Sequence, residues 1–172
     1  DKTGTLTLNR MTVEEVYTDG RLFRAEELPT AGVDNTEAIL SGRKPFGLLL
    51  TALALSNDSR VDASDALIGD PTETALFELA RGKGYLRERL DEKYPRLAEI
   101  PFDSDRKRMT TFHAWENGRI ISFTKGAAEE IVERSEKILA HQGLEEIDRS
   151  KVLQTAEQIA SDGLRTLGFA MK

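Results

Sequence analysis

KRMTTFHAWENGRIISFT, residues 107–124, is the stretch that decides the fold. Strand-forming residues flank Asn117-Gly118, a pair suited to the positive φ values of a two-residue type I′ turn. The stretch therefore reads as a β-hairpin with strands over 107–115 and 119–124. Pairing Glu116 with Arg119 sets Ala114 opposite Ile121, Phe112 opposite Phe123 and Thr110 opposite Lys125, all on one face. In that register Lys125 emerges beside two phenylalanines. A lysine half buried among aromatic rings calls for an anionic or π partner.

Downstream, 127–139 and 145–160 read as helices. In the second, Val152, Leu153, Ala156, Ile159 and Ala160 form one side and Gly163 supplies the stop. A strand over 164–171 follows. Upstream, 11–18 and 21–24 read as a second hairpin turning at Asp19-Gly20, and 26–43 as a surface loop with one helical turn. Residues 45–56 carry too many apolar positions for a single stripe and predict a mostly buried helix. Asp70 caps the next helix, with Pro71 at its first position, an Ala75, Leu76, Leu79, Ala80 stripe, and Gly82 and Gly84 at its end. A short helix over 85–93 and an extended segment over 96–101 complete the pattern. Strands without regular βαβ alternation give an α+β fold, an antiparallel β-sheet flanked by helices.

The 172 residues, 39% hydrophobic and 31% charged, suit one globular domain. A net charge of -6 with interspersed signs leaves no basic footprint, so no nucleic acid partner is expected. Cysteine is absent, and His113 and His141 share no metal-ligand spacing. No apolar run approaches a membrane span in length. The opening at Asp1, without an initiator Met, suggests a piece of a longer protein.

No G-x-x-x-x-G-K-[ST] loop and no G-x-G-x-x-G after a strand is present, which disfavours ordinary P-loop and Rossmann nucleotide binding. The first seven residues, Asp1-Lys2-Thr3-Gly4-Thr5-Leu6-Thr7, instead match the phosphorylation motif of P-type ATPases, and the chain resembles that family. The resemblance makes Asp1 the nucleophile that takes a phosphoryl group as an acyl phosphate, with Mg2+ held by Asp1 and the Thr3 carbonyl. Haloacid dehalogenase phosphatases usually carry a second aspartate where Thr3 stands. A threonine transfers protons poorly, so the acyl phosphate would persist, which favours a pump over a phosphatase.

Three further segments resemble the family's nucleotide-binding domain, in its order, and a fourth follows them as its return crossover. Gly69-Asp70-Pro71-Thr72-Glu73-Thr74-Ala75-Leu76 implies that Glu73 faces adenine; read alone, Glu73 completes a capping box with Asp70. Phe102-Asp103-Ser104-Asp105-Arg106-Lys107-Arg108-Met109 implies that Phe102 stacks on adenine and Lys107 approaches the nucleotide; read alone, Phe102 is a core residue. Lys125-Gly126-Ala127-Ala128-Glu129 resembles the family's Lys-Gly-Ala-Pro-Glu segment and adds Lys125, Gly126 and Ala127, with Gly126 letting a ligand approach the backbone. Asp162-Gly163-Leu164-Arg165-Thr166-Leu167-Gly168-Phe169-Ala170 resembles the return crossover, implying that Arg165 contacts phosphate and Leu167 lines the cleft.

The resemblance divides the chain into a motif and hinge strand over 1–10, a nucleotide-binding domain over 11–163 and a return hinge strand over 164–172. It implies an ATP-binding module, a monomer in itself, at the cytoplasmic face of a membrane. Its partners are the phosphorylation, actuator and transmembrane domains of a cation pump nearest the calcium-pump branch. The rival readings are a soluble aspartate-nucleophile phosphatase and a non-catalytic interaction domain.

Overall fold

The computed structural model describes residues 10–30 and 45–172. Its first hairpin pairs β1 (Glu15–Thr18) with β2 (Arg21–Arg24), Thr18 opposite Arg21. Asp19 and Gly20 both take positive φ, 54° and 70°, as the two-residue turn requires. A 3-10 turn over Ala25–Glu27 follows.

Helix α1 (Phe46–Leu55) is apolar nearly all round, and a helix of that kind must be enclosed. It supplies Leu50, Leu53 and Leu55 to a core shared with Leu76, Ala80, Tyr85, Leu90 and Tyr94, and with Ile121 and Phe123 of the sheet. A short ribbon, β3 (Arg60–Val61) with β4 (Leu67–Ile68), leads to α2 (Pro71–Gly82). Asp70 caps α2 by accepting from Thr72 N at 2.9 Å. Helix α3 (Arg87–Lys93) then leads into the main sheet.

That sheet consists of β5 (Arg96–Asp103), β6 (Arg108–Ala114), β7 (Ile120–Gly126) and β10 (Gly168–Met171), antiparallel throughout in the order β10-β7-β6-β5. The mixed α+β architecture is the expected one. The hairpin register is not. Ala114 pairs with Ile120, Phe112 with Ser122, Thr111 with Phe123 and Met109 with Lys125, one residue away from the expected pairing. The cause is the turn. Trp115 N donates to Arg119 O at 2.8 Å around a three-residue loop, Glu116–Gly118, in which Asn117 and Gly118 take φ of 58° and 70°. A one-residue slip exchanges faces. Lys125 therefore shares the core face with Phe123, Met109, Thr111 and His113, and Phe112 stands on the other.

Between β7 and β10 the expected long helix over 127–139 is shorter. Helix α4 (Ala128–Arg134) stops, and β8 (Lys137–Ala140) and β9 (Gly143–Glu146) form a hairpin before α5 (Arg149–Ser161). Arg149 Nη2 donates to Ser135 O at 2.6 Å, so a side chain from α5 satisfies a carbonyl just past α4. Residues 137–139, expected as the end of that helix, are strand, and so is the start of the expected 145–160 helix. Helix α4 packs on β10, where Ile131 Cβ lies 2.8 Å from the place a Gly168 Cβ would occupy.

Candidate functional site

The site is assembled where the first turn of α2 meets the core face of β7. Alternation along β7 turns Ile121, Phe123 and Lys125 inward, and all three are buried. Lys125 is 5% exposed. A buried ammonium needs partners. Its Nζ donates to Glu73 Oε2 at 2.6 Å and to the Ser56 carbonyl. Burial pushes the Lys125 pKa below the usual lysine range, while Glu73 opposes that shift. The anionic partner anticipated for Lys125 is thus supplied by the chain itself.

Glu73 does not close a capping box. Its Oε2 also accepts from Asp58 N at 3.3 Å, and its side chain keeps 20% exposure. The residues that hold this pair were not anticipated. Ser56-Asn57-Asp58-Ser59 leaves α1 as a polar turn, buried except at Asp58. Asn57 Nδ2 donates to Glu73 O at 2.8 Å, and Asn57 Oδ1 accepts from Ser59 N at 2.9 Å. Arg96 Nη2 donates to Leu55 O at 2.8 Å and Asn57 O at 3.0 Å; Arg87 donates to the Asn57 and Ser59 carbonyls. Burial lowers the Arg87 pKa. Lys125, Arg87 and Arg96 thus converge on carbonyls at the C-terminal end of α1, where the helix dipole favours positive charge. The sequence signal available was four small polar residues directly after the most apolar helix of the chain.

The other expected residues lie around this centre. Met109 pairs with Lys125, and Lys125 with Phe169 of β10. On the far side, β5 bulges between Ile100 and Asp103, so Pro101 and Phe102 together stand opposite Met109. Phe102 is 63% exposed, which removes the core reading for it. Lys107 sits in the tight turn between β5 and β6 with φ of 50°, its ammonium 4.0 Å from Glu129. Its carbonyl accepts from Ala127 N at 3.0 Å.

Gly126 has a different reason from the expected one. A Cβ there would stand 2.3 Å from Lys107 O and 2.8 Å from Arg108 Cα, so the close approach is by the chain's own β6. Arg165 Nη1 donates to Thr72 Oγ1 at 3.2 Å, beside Glu73. Leu167 packs against the core cluster just before β10.

The arrangement thus brings Glu73 directly onto Lys125, and Ala127 and Gly126 onto Lys107. Phe102 and Arg165 lie at its margins. A partly exposed carboxylate, a buried cation and an exposed ring suit a flat heterocycle bearing amine donors. Among the described residues no three His, Cys, Asp or Glu side chains gather as a metal site. Asp1 and Thr3 lie outside the described residues. No helix among the described residues is long and apolar enough to cross a membrane.

Residues 46–172 match the family model described as P-type ATPase, cytoplasmic domain N. The chain is 37% identical to the cation-transporting ATPase pma1 of Synechocystis, 35% to calcium-transporting ATPase 1 of Bacillus cereus and 32% to the calcium-transporting ATPase of Bacillus subtilis. Each similarity covers 100% of this chain but only 20%, 18% and 21% of the respective relative. The chain spans about a fifth of the length of these proteins.

Proposed function

The chain belongs to the family of P-type ATPase cytoplasmic N domains, and from that membership we propose that it binds ATP between Phe102 and the Glu73–Lys125 pair. That pair carries the reading. A carboxylate fixed on a buried lysine, with one face still open, is a preorganised acceptor for an exocyclic amine. Phe102 is the stacking platform beside it, Gly126 and Ala127 form the adjoining wall, and Leu167 lines the cleft. Lys107 and Arg165 lie toward the phosphates.

In the whole protein this domain serves a membrane pump that couples ATP hydrolysis to cation transport through an aspartyl-phosphate. Asp1 is its nucleophile, with Thr3 beside it on a magnesium ion that would neutralise phosphate charge. Residues 1–10 carry the motif and hinge, 11–163 the N domain and 164–172 the return strand. The partners are the phosphorylation, actuator and transmembrane domains of the same pump, and the N domain works as a single copy at the cytoplasmic face.

Titrating ATP into the chain while following amide signals tests the site. The expected dissociation constant is on the order of 0.1 to 1 mM, about 4 to 5.5 kcal/mol. Phe102→Ala is expected to weaken binding by roughly 1 to 3 kcal/mol, the range for base stacking on an aromatic side chain, with the melting temperature unchanged. No signal movement near Phe102 and Lys125 at about 10 mM ATP, well beyond the expected range, would remove the ATP reading.

A further inference from the structure

We propose that Asn57 is a positioning residue for base selection: it sets the Glu73 carboxylate so that one oxygen is engaged by the chain and the other is presented to the base. The inference rests on the ATP reading above and names a residue outside the contact set given there. Asn57 is 0% exposed and uses both ends of its amide, Nδ2 on Glu73 O at 2.8 Å and Oδ1 on Ser59 N at 2.9 Å. It therefore ties the first turn of α2 to the turn after α1.

Its two sequence neighbours hold the Glu73 pair directly. The Ser56 carbonyl accepts from Lys125, and Asp58 N donates to Glu73 Oε2 at 3.3 Å. Lys125 donates to the same Oε2 at 2.6 Å. Among the described residues Oε1 takes no hydrogen bond, and the side chain is one fifth exposed. An ionised carboxylate only accepts. Oε1 thus favours a purine with an amine at position 6 and opposes one with a carbonyl there, where acceptor would face acceptor.

The turn is also stiff. Arg96 and Arg87 both donate to the Asn57 carbonyl, so the main chain at 57 is held from α3 and β5 as well as through its side chain. Removing the Asn57 amide leaves Ser59 N without its partner and Glu73 O with only the bond of its own helix. The first turn of α2 then loses its side-chain tie to the turn after α1, which loosens the setting of the Glu73 carboxylate on Lys125.

The test measures dissociation constants for ATP and for ITP, whose base carries a 6-oxo group. It uses the 172-residue chain and its Asn57→Ala, Asn57→Asp and Glu73→Ala variants, with thermal melts defining the folded fraction. Wild type is expected to prefer ATP by about tenfold, the effect of one hydrogen bond of about 1.4 kcal/mol. Both Asn57 variants are expected to bring the ratio within about twofold, as Glu73→Ala does, because the lost term is the same one. In unsubstituted protein the Asn57 side-chain amide signals are expected to shift on saturation with ATP and not with ITP.

Folded Asn57 variants that keep the wild-type ratio would overturn the proposal alone, as would Asn57 amide signals that do not move with ATP. Wild type that binds neither nucleotide would overturn the ATP reading beneath it. Wild type that binds both equally would overturn base selection by Glu73.

Discussion

Gly126 shows how one missing atom can set a sheet. The volume of its absent Cβ is filled by Lys107 O and Arg108 Cα, both main chain and unable to swing aside. Gly126→Ala is therefore expected to destabilise by roughly 1 to 3 kcal/mol, the usual cost of overpacking. The check is a lower urea midpoint at unchanged slope. Lys125 carries a similar lesson. Substitution by Ala would leave the Ser56 carbonyl without its ammonium donor and Glu73 without its cation. With Glu73 partly exposed, about 2 kcal/mol is expected rather than the roughly 3 to 5 of a fully buried pair, read from the same melts. His113 adds a pH term. Its Nδ1 lies 3.1 Å from the Tyr94 carbonyl and so carries the proton, and its Nε2 accepts from Thr111 Oγ1 at 2.9 Å. Burial holds its pKa below the usual 6.5, against the Tyr94 hydrogen bond. The folded state thus binds its proton later than the unfolded chain. The stabilisation is complete above pH 6.5 and is lost as pH falls through the folded value. Urea melts from pH 7.5 to 5 are expected to show a decline that His113→Gln flattens, bounded for one proton at about 1.4 kcal/mol per pH unit.

Elements with local signals were legible. Helix α2 has its cap, first-turn proline, stripe and terminal glycines all between Asp70 and Gly84, and Asp70→Ala is expected to cost about 1 kcal/mol in a urea melt. The strands of the β6–β7 hairpin were equally visible. Their register was not, because Asn117-Gly118 serves a two-residue or a three-residue loop, and the choice goes with burial of Met109, Thr111 and His113 on the face of Ile121, Phe123 and Lys125. The β8–β9 ribbon was missed for a related reason. Nothing between Arg134 and Lys137 announces a stop, and the residue that satisfies Ser135 O is Arg149, from the next helix. The site divides in the same way. Glu73, Phe102 and Lys107 entered through resemblance to motifs, each continuous in sequence, and Lys125 through the hairpin as well as through such a motif. Asn57 could not, since its role lies in hydrogen bonds to residues 16 positions away and beside a lysine 69 positions from Ser56.

For the whole molecule, ligand and fold are linked. A ligand that binds only the native chain raises its stability by RT ln(1 + [L]/Kd), so ATP at ten times its dissociation constant is expected to add about 1.4 kcal/mol. Differential scanning fluorimetry should read this as a rise in Tm of roughly 2 to 5 °C, and Phe102→Ala should abolish most of it at the same ATP concentration. The sheet order has a consequence of another kind. The outer neighbour of β7 is β10, drawn from the far end of the chain, and Lys172 still exchanges hydrogen bonds with Ser122, at 3.0 and 2.8 Å. During synthesis at roughly 5 to 20 residues per second, β7 leaves the ribosome seconds before its partner. Through that interval its outer edge is a bare row of amides and carbonyls, the template on which another nascent chain could pair. Translation speed over α4 and α5 therefore sets how long the protein is exposed to misassembly.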